Sequence, residues 1–222
     1  HPPEMYKDTN YWLNLQLQKH RPAACAINAA LGGSTLSQRV GPKGRLTAQD
    51  KVLRNRVSAN DTVIVSVGGN DFFKTFEGLA SMGTLLFWTS TTGILNAVPW
   101  GLSHFVKLFK DKMIEYIRRL TKRTMPRRVI VCMMYYLDTT RTGGHFKMVG
   151  YDNNPAKLQA VLRRIFELAT SKIALPDTEI VPFAMFSAVD GATSADYLED
   201  RLHLSPDGSR KLAKALFKKV DA

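Results

Sequence analysis

Asp200-Arg201-Leu202-His203 sets a carboxylate three residues ahead of an imidazole, with Ser205-Pro206-Asp207 close behind. A carboxylate that holds one ring nitrogen fixes the tautomer and frees the other nitrogen to act as a general base. Ser205, Pro206 and Asp207 read as N-cap, first helical position and first-turn acid, so the pair is mounted on a turn pinned to a helix start. Alone, such a pair is more often an ordinary exposed loop. Two upstream turns change that reading. Val67-Gly68-Gly69-Asn70-Asp71-Phe72 closes the apolar β-branched run Thr62–Val67, and Ile27-Asn28-Ala29-Ala30-Leu31 runs into Gly32-Gly33-Ser34-Thr35. Both look like glycine turns at the carboxyl ends of strands, where open α/β sheets place their active sites.

The elements that would position these turns alternate. Residues 9–20 read as a helix, Ala23–Leu31 as a strand and Thr47–Val57 as a helix capped by Thr47. Thr62–Val67 is a strand. Residues 102–123 repeat apolar side chains at helical spacing, Arg128–Leu137 is a strand, and Asn154-Pro155 opens a striped helix. Thr178–Phe183 is a strand, and the last helix runs from Pro206 to Val220. Strands alternating with helices imply an α/β domain with a parallel sheet and right-handed crossovers.

Together the three turns resemble the SGNH, or GDSL-type, family of serine esterases and lipases. That family carries a Gly-Asp-Ser nucleophile block, an oxyanion-hole glycine, a Gly-x-Asn-Asp block and a terminal Asp-x-x-His. Gly33 matches the oxyanion glycine, Asn70 the oxyanion asparagine, and Asp200 and His203 the terminal pair. The resemblance runs from about Tyr11 to Ala213. It implies a single domain over 1–222 with a three-layer α/β/α, flavodoxin-like fold. It also implies ester hydrolysis by a Ser-His-Asp triad that needs no cofactor and no metal. Arg201 stands where a glycine is common. The first block has no match in residues 1–222, and His1–Asn10 is too polar and proline-containing to supply its strand. The expectation is therefore that strand and serine lie ahead of His1, in the same polypeptide or a separate peptide, leaving a strand-sized gap beside Thr62–Val67 and Ala23–Leu31. Ser34 follows Gly33 but lacks the G-x-S-x-G elbow, since Leu36 occupies its last position. The alternative reading is an inactive, SGNH-like structural subunit of a larger assembly. A flavodoxin-type nucleotide binder would need a phosphate loop that is absent here.

Composition is compatible with one globular domain: 222 residues, 45% apolar. No 18-residue span reads as a membrane helix, and the compartment is left open. Cys25 and Cys132 both lie in apolar runs and read as core residues rather than a disulfide or metal pair. Net charge is +12, concentrated between Lys107 and Arg128. Such a face is commonly only solvated. Its functional reading is contact of Arg118, Arg119, Lys122 and Arg123 with an anionic partner, RNA or a membrane surface. Residues 72–100, rich in Phe, Leu and Trp, form a long apolar connection that suits an acyl-pocket wall or a docking surface for another subunit or a membrane. The loop Thr139–Asn153, with Gly143-Gly144-His145, is a second candidate to flank the site.

Overall fold

The computed structural model describes residues 6–96, 98–143 and 151–221. Gly144 and His145, in the second candidate loop, lie outside the described residues. The chain divides into two compact units: one from residues 1–28, 135–144 and 184–222, the other from residues 29–134 and 145–183.

The second unit carries a three-stranded parallel sheet of order β1 (Thr62–Val65), β2 (Arg128–Met133), β3 (Glu179–Ala184), the last strand running to the unit's boundary. In the β1–β2 ladder Thr62 faces Arg128 and Val65 faces Val131. β2 is buried at every position, as a central strand of a parallel sheet must be. Its helices are α2 (Ala48–Arg56), α3 (Asp71–Lys74), α4 (Phe76–Gly83), α5 (Thr91–Asn96), α6 (Trp100–Lys107), α7 (Met113–Leu120) and α8 (Pro155–Leu168). The expected helical stripe is buried at Leu102, Phe105, Phe109, Met113, Ile117 and Leu120. A π-helical turn over Leu108–Lys112 joins α6 to α7. Its extra residue per turn lets adjacent Leu108 and Phe109 both face the core.

In the first unit, α1 (Thr9–His20) lies along α9 (Pro206–Asp221). The contacts are mixed. His20 sits 5.3 Å from the Phe217 ring, Arg210 lies over Trp12, and Arg21 pairs with Asp221.

Two expectations fail here. Ala23–Leu31 is not a strand and belongs to no part of the sheet; Ile27 is 86% exposed. The physical reason is a competing partner. The Asn14 amide donates to Ala26 O at 2.9 Å and accepts from Ala26 N at 2.8 Å, taking both main-chain groups that a ladder would use. Cys25, in the same segment, is exposed rather than core, whereas Cys132 is buried on β2. No helix among the described residues is long and apolar enough to cross a membrane.

A buried ionic knot fastens α2 to α7. Thr47 and Asp50 form a capping box at the start of α2: Asp50 N–H donates to Thr47 Oγ1 at 3.1 Å and Thr47 N–H to Asp50 Oδ2 at 2.8 Å. The same carboxylate takes Arg39 Nε at 2.9 Å and the Tyr116 hydroxyl at 2.8 Å. Burial alone would raise the Asp50 pKa. The bonds from Thr47 and Tyr116 and the Arg39 charge outweigh it and hold the carboxyl below its ordinary range. Its stabilisation is therefore present above the ordinary carboxylate pKa, about 4, and is lost as pH falls through the lower folded value. Asp50→Asn should destabilise the fold by about 3 kcal/mol at neutral pH, because Arg39 is left buried without its counter-charge. It should also flatten the loss of stability below about pH 4. Urea unfolding of both proteins across that range measures both effects.

Candidate active site

The Asp200–His203 segment is the tip of a tight hairpin in the first unit. Tyr197 and Leu204 face each other in an antiparallel bridge, and Leu198 N–H donates to His203 O at 2.8 Å. At the tip, Asp200 Oδ1 accepts from Leu202 N–H at 3.0 Å and His203 N–H at 2.9 Å, while Oδ2 lies 2.5 Å from His203 Nδ1. Burial pushes the Asp200 carboxyl up. The bonds from the His203 ring and from the His203 and Leu202 main chain more than offset this, so it is held below its ordinary range and stays ionised. An ionised Asp200 at Nδ1 places the imidazole proton there and leaves Nε2 as the basic atom. The His203 side chain is 69% exposed, so that atom is reachable. Behind the turn, Ser205 caps α9 as expected: its Oγ accepts from Gly208 N–H at 3.2 Å.

What holds this tip was not visible in the motif. Arg201 has φ +64°, a left-handed conformation that disfavours any residue with a Cβ. Its side chain is buried and explains why the conformation persists. One guanidinium nitrogen donates to Asp138 O and another to Gly143 O, each at 2.9 Å, and Asp138 N–H donates back to Arg201 O at 3.3 Å. Arg201 is therefore a brace between the hairpin and residues 138–143. Two tyrosines add to it. The Tyr135 hydroxyl donates to Leu202 O at 2.9 Å and the Tyr6 hydroxyl to Leu204 O. Burial, then the Asp200 charge, pushes the Tyr135 hydroxyl pKa up, so it remains a donor. Tyr6 also lines an open cavity of about 560 Å³ with Asp8, Tyr11, Asn14 and Gln18.

In the second unit the other two residues come together. Gly33 has φ +74°, and the Asn70 Nδ2 group donates to Ser34 O at 3.0 Å, so the Asn70 amide sits against the Gly33 turn. Asp71, fully buried, accepts from Leu36 N–H at 2.6 Å and Ser37 N–H at 3.0 Å. Gly68 is obligatory: its φ is +110°, and a Cβ there would lie 2.8 Å from the Phe109 ring. Lys74 Nζ donates to Gly33 O at 3.1 Å. Ser34 is a turn residue, its Oγ donating to Leu31 O at 2.6 Å. Chemically, a main-chain N–H and a side-chain amide N–H are the kinds of donor that can serve an oxyanion, and an Asp–His pair can carry a proton. Of the four basic residues picked out for an anionic partner, Arg119 is already engaged. It donates to the carbonyls of Arg39, Gly41 and Gly44 and pairs with Glu115. Arg118, Lys122 and Arg123 are exposed.

The brace gives a test with an internal control. Arg201→Ala should cost about 3 kcal/mol, since it loses two charge-assisted bonds while keeping a disfavoured φ. Arg201→Gly loses the same bonds but accepts the φ, so it should be less damaging by about 1 kcal/mol. Urea unfolding of the two variants gives this order directly. Equal losses would mean that the backbone relaxes out of the left-handed region.

The GDSL-like lipase/acylhydrolase family model matches residues 6–211. No curated protein sequence matches this chain. Among solved structures, an extracellular lipase from Streptomyces rimosus superposes with a TM-score of 0.56 at 16% identity, over 97% of this chain and 87% of that one. A carbohydrate acetylesterase from Sinorhizobium meliloti gives a TM-score of 0.48 at 18% identity, over 97% and 85% of the two chains. The first likeness is one of fold, in keeping with the α/β architecture. The family match spans nearly the whole chain and includes the Gly33, Asn70 and Asp200–His203 turns, so this chain belongs to the GDSL-like lipase/acylhydrolase family.

Proposed function

We propose that the protein is a serine carboxylic-ester hydrolase in which His203 is the general base and Asp200 its orienting partner. The observation that carries this reading is the Asp200–His203 pair: 2.5 Å from Oδ2 to Nδ1, with the imidazole exposed on a braced hairpin tip. The attacking serine would be that of the family's Gly-Asp-Ser block, which has no match in residues 1–222.

In the proposed reaction His203 Nε2 takes the serine proton as the hydroxyl oxygen adds to the ester carbonyl. The imidazolium is stabilised by ionised Asp200 and then passes the proton to the departing alkoxide. The resulting acyl-enzyme is cleared by water in the same two steps. The Gly33 N–H and the second N–H of the Asn70 amide are the donors to the oxyanion. One such donor is worth about 3 kcal/mol in the transition state. The substrate is a small-molecule ester of unassigned acyl and alcohol groups.

On p-nitrophenyl acetate, His203→Ala in the native polypeptide should lower kcat by about 10⁴ or more, and Asp200→Asn should impair turnover through the wrong tautomer. The melting temperature of His203→Ala should barely move, because the hairpin is held by Arg201 and the Ser205 cap. Equal turnover by wild type and His203→Ala would sink the assignment.

Asn70→Ala should lower kcat by about 10²–10³ at nearly constant KM, the signature of a donor used in the transition state. A raised KM at unchanged kcat would instead make Asn70 a ground-state contact.

A further inference from the structure

We propose that residues 76–100 form an interfacial face that seats the protein on an anionic lipid surface. The segment comprises α4, a π-helical turn over Thr84–Trp88, α5 and the start of α6. Its inner side is well packed: Met82, Leu85, Ile94 and Leu102 are buried, and Lys157 Nζ donates to Leu86 O at 2.6 Å. Its outer side is apolar where a water-facing surface would be charged. Phe76, Leu79, Phe87, Trp88 and Trp100 are all exposed, Trp88 by 87% and Trp100 by 68%. Exposed apolar side chains scattered singly need no explanation, but seven large ones within 25 residues, Leu95 and Val98 included, mark an interaction surface.

Charge chooses the occupant. Glu77 is the only Asp, Glu, Lys or Arg between Lys74 and Lys107. The flanks are net basic, with Lys74 on one side and Lys107, Lys110 and Lys112 against the single acid Asp111 on the other. On α6, Trp100, Ser103 and Lys107 are exposed at helical spacings of three and four, which sets an indole and an ammonium on one face. Indole rings belong at the headgroup level of a bilayer, and each nearby lysine adds attraction to anionic lipid. No described helix can span a membrane, so the geometry is that of a face lying on the surface. A protein partner would be served equally well by the apolar side chains, but it would not explain a basic rim around an acid-poor centre. This inference is independent of the ester chemistry.

The test uses the native polypeptide and extruded vesicles, either phosphatidylcholine alone or phosphatidylcholine with about one-third phosphatidylserine. Binding to the anionic vesicles in low salt should exceed that to the neutral ones by about ten-fold, and should weaken several-fold in 0.5 M salt. Bound protein should show blue-shifted tryptophan emission, quenched by brominated lipid. Trp88→Ser/Trp100→Ser should lose about ten-fold in binding and nearly all of the quenching, with Trp12 left as internal reference. Both indoles are exposed, so its melting temperature should match wild type. Lys107→Glu/Lys110→Glu should lose the preference for anionic vesicles while retaining cooperative unfolding. The proposal is overturned if neither vesicle binds, if the tryptophan double variant binds as wild type, or if neutral and anionic vesicles bind alike. Self-association in sedimentation equilibrium that the tryptophan variant abolishes, without vesicle binding, would overturn it in favour of a second copy of this chain.

Discussion

The carboxylate of Asp71 sits in a fully buried place and accepts the main-chain N–H groups of Leu36 and Ser37. A buried carboxylate is tolerated only when its lone pairs are occupied, and a buried N–H only when it has an acceptor, so the three groups satisfy one another. The consequence reaches in both directions along the chain. Asn70, beside Asp71, is presented to the Gly33 turn, and α3 begins where Lys74 can reach Gly33 O. Two glycine turns that are 35 residues apart in the chain are thus held together by Asp71, with Asn70 and Lys74 adding a bond each. Removing the Asp71 side chain would leave the buried Leu36 N–H and the half-buried Ser37 N–H without their acceptor, a larger loss than one hydrogen bond.

The His203 hairpin is registered by the opposite device. There a cation, Arg201, satisfies carbonyl oxygens, and it does so from a backbone conformation that a side chain ordinarily avoids. Local strain of this kind survives only where the surroundings over-determine it. Here the determinants are two guanidinium bonds, the Tyr135 and Tyr6 hydroxyls, and the Ser205 cap. The imidazole contributes little to this framework, which is why an exposed base can be held rigidly.

Legibility in the sequence followed the range of the interactions involved. The acid–histidine spacing, the Ser205 cap and the Thr47 capping box depend on neighbours three residues apart, and each was readable. So was the pairing of Gly33 with Asn70, because a family resemblance supplied the long-range link. The role of Arg201 was not readable. The resemblance marked its position as one where glycine is common, but only the φ angle shows why, and only the Asp138 and Gly143 carbonyls show how arginine manages there. Ala23–Leu31 misled for a related reason. An apolar run becomes a strand only when a ladder satisfies its main chain, and at Ala26 the Asn14 amide does that work instead. The π-helical turn at Leu108–Lys112 added Leu108 to the expected stripe, and nothing in residue types announces such a turn.

Arg201 grips its neighbours by their peptide oxygens, and every amino acid carries the same peptide oxygen. The brace therefore reads the path of the backbone rather than side-chain chemistry, although Gly143 at φ +103° still favours glycine and Arg141 adds its own bond to Leu198 O at 2.8 Å. A substitution at Asp138 changes a side chain without removing the carbonyl that Arg201 holds, provided the backbone path is kept. A change at Arg201 has no such latitude, since it alters the anchor itself. The hairpin's hold is thus written in backbone geometry on one side and in a single arginine on the other.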